Sequence, residues 1–313
     1  MRPAIRLGTF RSGQLESTHD VSVVITDAAG TVVESWGEDL EFYYRSAIKP
    51  FQATVSLEAG AKLADEQVAI SCSSHGGLPA HLALVNANLE GAGLTTKALR
   101  CPPAWPRDPA AKELAISRGH HEPTKLFNNC SGKHSGWLAG CVARGWPVET
   151  YLEPSHPIQQ RVIALVEEAT GVGATPIGID GCGAPTSRGR LTGLARAFST
   201  LSTESRFSEI ATAMCRFPAL LSSNNLNEGR FAAWWGGPVK GGAQGLIAAG
   251  RNGVGVAAKS HNGDVDLAIA AMIETITRVG LLSDVARDAL VDVARPPVLG
   301  GGRQVGAVEP IHT

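Results

Sequence analysis

Three observations predict an α+β fold. The chain opens on two β-branched runs separated by a turn, and its middle carries a succession of helical patterns with recognisable starts and stops. Helices and strands then alternate too irregularly for a parallel βαβ sheet, which leaves an antiparallel sheet joined to a helical region. No internal repeat and no Ser/Gly/Pro-rich linker divides the 313 residues, so 1–313 is expected to be a single unit, with room for two lobes around a cleft.

The elements follow in order. Val21–Thr26 and Thr31–Trp36 flank Asp27-Ala28-Ala29-Gly30 and read as a hairpin. Phe51, Val55 and Leu57 mark the apolar face of a helix ending at Gly60, and Pro50, which lacks an N–H, requires that helix to begin within a residue or two of Ser46. Further helices are expected over 80–91, 109–118, 133–144, 156–169, 188–200, 204–216 and 264–280. Asp108-Pro109 supplies a cap acceptor and a first-turn proline, and Gly119, Gly145, Gly171 and Gly280 supply stops. Strands are expected over 67–71, 176–179, 246–249 and 253–258.

Composition removes several function classes. The chain is 43% hydrophobic and 18% charged, with a net charge of -1 and no run of like charge, which argues against a footprint for nucleic acid or anionic lipid. The first twelve residues contain no apolar core of a secretory signal, and the most apolar helical stretch, Leu267–Ile276, is short and interrupted by Glu274. No membrane association and a cytoplasmic location are expected. Six cysteines then favour reduced thiols, catalysis or metal ligation over a disulfide framework.

Two short motifs carry most of the chemistry. Ser46 and Lys49 lie three residues apart and share a helix face, so the amine can reach the hydroxyl. A serine hydroxyl needs a proton acceptor at neutral pH, and a desolvated lysine can serve. An S-x-x-K match alone is weak, since an ordinary helix start has the same pattern. Arg45, just before it, offers a cation for a substrate carboxylate. The second motif, Asn128-Asn129-Cys130-Ser131-Gly132-Lys133-His134, has the highest density of functional groups in the chain. It places Cys130 and Lys133 near a helix N-terminus, where dipole and lysine would favour a Cys130 thiolate.

Weaker signals surround these. Ser71–Gly77 crowds serines, Cys72 and His75 after an apolar run, which suits either a site loop or a loop satisfying its own backbone. Asp180-Gly181-Cys182 begins a second tight loop. Spacing leaves Cys130 and Cys182 open as zinc ligands, a disulfide or unrelated thiols, because neither belongs to a C-x-x-C pair. Lys240-Gly241-Gly242 is loosely similar to the K-T-G strand of penicillin-recognising enzymes, with Glu228-Gly229-Arg230 nearby. Ser223-Asn224 is not a convincing S-D-N substitute. His19, His120, His121, His156 and His312 have no partner identifiable from sequence.

As a set, R-S-A-I-K-P at 45–50, C-S-S-H at 72–75, N-C-S-G-K-H at 129–134, D-G-C at 180–182, E-G-R at 228–230 and K-G-G at 240–242 resemble the rhizobial-type (class 3, asparaginase II) L-asparaginases. The resemblance spans most of the chain. It implies a fold similar to serine β-lactamases and penicillin-binding proteins, a homodimer, and L-asparagine as substrate. It implies two Ser-Lys pairs, Ser46 with Lys49 and Ser74 with Lys240. It also implies a zinc ion (Zn2+) held by Cys130, Lys133 and Cys182, aiding substrate binding without performing the chemistry. Asp180 would hold the amino-acid end of the substrate, with Arg45 and His134 close by. Two stretches depart from the family pattern: the segment after Cys182 is shorter, and Pro102-Pro103-Ala104-Trp105-Pro106 stands in place of a Gly-rich turn.

The expected reaction is amide hydrolysis through a Ser46 acyl-enzyme. Competing readings are a relative acting on glutamine, a β-aspartyl compound or a β-lactam, an inactive zinc- or amino-acid-binding relative, and a cysteine amidase pairing Cys130 with His134.

Overall fold

The computed structural model describes residues 2–223 and 226–311, so Asn224 and His312 lie outside the described residues. Its strands are β1 (Ile5–Arg11), β2 (Gln14–Thr26), β3 (Val32–Trp36), β4 (Glu41–Tyr43), β5 (Gly178–Ile179), β6 (Pro185–Thr186), β7 (Arg188–Arg190), β8 (Val239–Gly242), β9 (Leu246–Arg251), β10 (Val254–Ser260), β11 (Pro297–Gly300) and β12 (Arg303–Pro310). Its α-helices are α1 (Lys49–Glu58), α2 (Asp65–Ser71), α3 (Pro79–Gly91), α4 (Pro109–Ser117), α5 (Ser131–Arg144), α6 (Pro157–Thr170), α7 (Leu191–Leu201), α8 (Ser208–Arg216), α9 (Pro218–Leu221), α10 (Asn227–Trp235), α11 (Val265–Arg278), α12 (Asp284–Ala289) and α13 (Val291–Ala294).

The main sheet runs β11-β12-β1-β2-β10-β9-β8, with β3 added beside β2, and every pairing is antiparallel. This is the expected α+β class. The long strand β2 organises it: Gln14–Val21 pairs with β1, and Val21–Thr26 with β10. All six residues Val21–Thr26 are buried. Because side chains alternate between faces, that pattern requires cover on both sides of the sheet. Helices α7 and α11 pack against β2, β9 and β10.

The helical region centres on α5, in which every residue from Ser131 to Cys141 is buried. Its glycines, four residues apart, explain how closely it sits. A Cβ on Gly132 would lie 2.2 Å from the Ile70 carbonyl oxygen of α2, one on Gly136 would lie 2.7 Å from Ser71 Oγ, and one on Gly140 would lie 3.2 Å from Ser56 Cα of α1. This close approach brings the N-terminus of α5 beside the ends of α1 and α2, where many of the residues singled out in the sequence gather.

The sequence expectations fail at identifiable points. Residues 67–71, read as a strand, form most of α2. The Gln67 side-chain oxygen accepts the Ala64 N–H at 2.7 Å and so caps the first turn, while Val68–Ile70 are buried among helices. A short apolar run carries no periodicity that separates the two forms. Residues 188–200 begin as β7, and the helix starts only at Leu191. The hairpin β11–β12 and strand β1 carried no recognised signal.

The glycine contacts generate a stability prediction. Gly132→Ala is expected to lower stability by about 1–3 kcal/mol through overpacking against a rigid carbonyl. Gly91→Ala, where an added Cβ meets nothing within 4 Å, should be neutral or slightly stabilising. Thermal melts of both variants check the contrast, and equal melting temperatures would contradict it.

Candidate active site

Ser46 lies in a short 3-10 turn, Arg45–Ile48, that leads directly into α1. Its neighbour Arg45 has φ +50, in the left-handed region that non-glycine residues rarely adopt. Two contacts hold this strained residue. Its N–H donates to Thr186 Oγ1 at 3.1 Å, and its Nε donates to Asp180 Oδ1 at 2.5 Å. Strain of this kind persists only where surrounding structure enforces it, and it clusters at functional sites.

Lys49, the first residue of α1, is fully buried. Its Nζ donates to the Ser73 carbonyl at 2.6 Å and to Ser74 Oγ at 3.0 Å. Lys240 on β8 is equally buried and forms an ion pair with Glu228 of α10, while also donating to the Gly241 carbonyl at 3.0 Å. Glu228 accepts the Gly241 N–H as well, at 2.9 Å. Burial pushes the Lys240 ammonium down to about 8, despite the opposing attraction of Glu228, and the charge of Lys49 pushes the same way as burial. Glu228 stays below the usual carboxylate range: burial opposes its charge, and Lys240 and Arg107 outweigh that opposition.

The hydrogen bonds therefore pair these groups differently from the sequence expectation. Lys49 reaches Ser74, whereas Lys240 reaches Glu228. No hydrogen bond joins Ser46 to Lys49, or Ser74 to Lys240, among the described residues. The four lie close together: Lys49 contacts Ser74, and Lys240 contacts Glu228. Ser46 and Ser74 line a cavity of about 280 Å³ together with Arg107, Asn129, Glu228 and the glycine-rich segment beginning at Gly241.

A second cluster adjoins the first through the sequence neighbours Arg45-Ser46 and Asn129-Cys130. Lys133 Nζ donates to Cys182 Sγ at 3.1 Å and lies 4.6 Å from the Trp137 ring centroid. A hydrogen bond from Cys130 holds the Cys182 thiol well below its usual range, and Lys133 adds to the effect. The same hydrogen bond, with burial, holds Cys130 protonated. The direction is opposite to the expectation of a Cys130 thiolate: the thiolate form is favoured at Cys182, first by the Cys130 hydrogen bond and then by Lys133. Burial disfavours the Lys133 ammonium, but the two sulfurs and Asp180 outweigh it and keep the group charged. Asp180 lies below the usual carboxylate range, since Lys133 and Arg45 overcome the cost of its burial.

All six cysteines are free, which removes the disulfide alternative for Cys130 and Cys182. Cys182 Sγ accepts from the Lys133 ammonium, and both cysteine sulfurs act on its charge. Among the described residues, no group of three or more His, Cys, Asp or Glu side chains is placed to hold a metal ion.

His134 is fully buried behind this cluster. Its Nδ1 pairs with the Tyr151 hydroxyl at 2.6 Å, while Nε2 has no partner among the described residues. Burial and the nearby Lys133 charge keep the ring neutral. Cys130 Sγ donates to Asn129 Oδ1 at 3.7 Å, and no hydrogen bond joins Cys130 to His134 among the described residues. Tyr151 also accepts the Arg100 N–H at 2.9 Å.

Sequence reasoning missed Tyr151 and Arg107. Tyr151 carries no local signal, since its role comes only from packing across α5. Arg107 follows the proline-rich stretch that had been marked as a departure from the family pattern.

The L-asparaginase II family model matches residues 7–310. The chain belongs to the L-asparaginase II family. That membership supports a hydrolase acting on amides. No functionally curated protein matches the sequence. Among solved structures, the crystal structure of Mglu in its glutamate form aligns with a TM-score of 0.47 and 15% identity, over 84% of this chain and 61% of that chain. A second Mglu crystal structure aligns with a TM-score of 0.46 and 14% identity, over 84% of this chain and 67% of the other. This chain thus spans about three fifths of the length of the glutamate-form protein. No helix among the described residues is long and apolar enough to cross a membrane.

Proposed function

We propose that this family member hydrolyses the side-chain amide of L-asparagine to L-aspartate and ammonia, with Ser46 as nucleophile. One observation carries the reading: in a chain of the L-asparaginase II family, two serines line one cavity, and two buried lysines contact its lining residues Ser74 and Glu228. Ser46 attacks the amide carbonyl, and its proton passes through the lysines and Ser74 to the departing ammonia. Water then opens the β-aspartyl ester. Ser74, which accepts from Lys49, relays protons, and Lys240 supplies an amine that loses its proton near neutral pH. An amine that titrates close to the working pH suits general base catalysis.

Asp180 and Arg45 bind the amino-acid end of the substrate in this reading, and His134 supports that pocket from behind. The proposal includes the single serine β-lactamase-like catalytic unit, the homodimer and the cytoplasmic location implied by the family resemblance.

Cys130, Lys133 and Cys182 would offer a zinc ion two sulfurs and one nitrogen once the Cys130 thiol and the Lys133 ammonium gave up their protons to the binding. A zinc ion held by these residues would supply positive charge near Asp180 and so would help seat the substrate.

One specific observation favours a second assignment. Lys49 touches Ser74 directly, so Ser74 is the alternative nucleophile. Ser46→Ala is expected to abolish ammonia release, while Ser74→Ala should retain a residue of burst-phase acylation. Single-turnover measurements with labelled asparagine check this, and acylation surviving in Ser46→Ala but not in Ser74→Ala would reverse the roles.

Activity should rise with pH along a limb centred near 8 as Lys240 loses its proton. The charge of Glu228 raises the Lys240 pKa, so Glu228→Gln must lower it. The limb should therefore move toward lower pH in that variant. A kcat/KM profile that moved the other way would overturn the role of Lys240.

After equilibration with zinc and desalting, the wild type should retain about one equivalent by elemental analysis, and Cys182→Ser should retain less than about a tenth. Equal retention by both would remove the metal assignment.

A further inference from the structure

The amino-acid end and the leaving end of the substrate face different surroundings. Arg45 lines a separate recess of about 540 Å³, with Tyr43, Arg188 and Lys259, and Gln244 lines both that recess and the first cavity. The cavity of about 280 Å³ holds Ser46 and Ser74 but neither Arg45 nor Asp180. If the amino-acid end sits at Arg45 and Asp180, the scissile C–N bond at Ser46 points its nitrogen into that cavity. A water occupies about 30 Å³ in the liquid, so the space far exceeds what ammonia needs.

Charge marks what fills it. Within the cavity wall, Lys240 and Glu228 neutralise each other. Arg107 makes no hydrogen bond among the described residues, its Nη1 lies 3.8 Å from Glu228 Oε2, and its side chain is 37% exposed. A guanidinium with free donors over a glycine-lined space is built to take a carboxylate in a bidentate grip.

We propose that this enzyme also cleaves β-aspartyl dipeptides, with the departing amino acid held in the cavity and its carboxylate bound by Arg107. The inference rests on the reading of Ser46 as nucleophile and of Arg45 and Asp180 as the amino-acid site. In the first step the Ser46 Oγ–carbonyl bond forms and the isopeptide C–N bond breaks, and the hydroxyl proton ends on the departing amine. Water then cleaves the ester, restores the Ser46 hydroxyl and releases aspartate. No oxidant or co-reactant is needed.

The test compares three substrates on the purified full chain: L-asparagine, β-aspartyl-glycine and β-aspartyl-glycinamide, which lacks the carboxylate. The wild type should release glycine from the acid roughly 10- to 100-fold more efficiently, by kcat/KM, than it cleaves the amide, the range of a charge-assisted contact. Arg107→Met should reduce that preference to within about threefold, and Arg107→Lys should keep part of it.

An Arg107→Met enzyme that slowed on both dipeptides while preserving the preference would show a merely structural residue and overturn the proposal. So would a wild type without the preference, whatever the variants do. A wild type that releases ammonia from asparagine but no glycine overturns the dipeptide activity and leaves the amidase reading intact. A wild type inactive on all three overturns both. Cleavage of β-aspartyl-glycine with the acid preference but not of asparagine would support the cavity assignment and reject asparagine as substrate.

Discussion

Two ammonium groups buried within electrostatic reach of each other form the constraint around which the site is built. Lys49 and Lys240 are both fully buried, and the charge of Lys49 helps depress Lys240. Moving a lysine from its usual 10.5 to about 8 corresponds to about 3 kcal/mol in favour of the neutral amine. Stripping a cation of water costs several kcal/mol unless strong partners replace it. Glu228, the carbonyls of Ser73 and Gly241, and Ser74 Oγ are those partners. They come from α10, β8 and the loop after α2, so the lysines tie the sheet edge to the helical region. A site with two buried lysines whose partners come from three separate elements cannot be loosely assembled.

The glycine ladder of α5 answers that demand. Because Gly132 and Gly136 let α5 approach α2 at backbone distance, Asn129 and Cys130 arrive beside Ser74 and its neighbours. The His75 N–H donates to the Asn129 carbonyl at 3.2 Å, which locks the two loops together. The same approach leads the backbone from the serine cavity to the sulfur cluster within one residue. Arg45-Ser46 repeats the arrangement on the opposite wall, where a strained backbone turns one side chain toward Asp180 and the next toward the serine cavity.

What could be read from the sequence follows from this geometry. The hairpin of β2 and β3, the cap at Asp108 and the glycine stops after α5 and α6 are local, so residue type and spacing revealed them. The motif residues were legible as a set because reactive groups are dense at 45–49 and 128–134. Their pairing was not. Ser46 and Lys49 share a helix face in sequence, yet Lys49 donates to Ser74 and to the Ser73 carbonyl, partners on the loop after α2 that sequence spacing does not reveal. The division of charge between Cys130 and Cys182 was also beyond sequence, since it depends on which sulfur the Lys133 ammonium touches. Arg107 and Tyr151 stayed hidden for the same reason: only three-dimensional proximity gives them partners.

The exchange of partners clarifies how two serines can share one lysine in the proposed mechanism. A hydroxyl already engaged with an ammonium is a poorer attacking group than a free one, because its lone pair is occupied by that donor. Ser74 accepts from Lys49, whereas Ser46 accepts no hydrogen bond from a side chain among the described residues and still lines the cavity. Ser46 therefore keeps its lone pairs for a carbonyl carbon, and Ser74 sits where it can pass a proton along to Lys49. In the proposed mechanism this is why Ser46, which the lysine leaves free in the resting site, serves as the nucleophile and Ser74 as the relay.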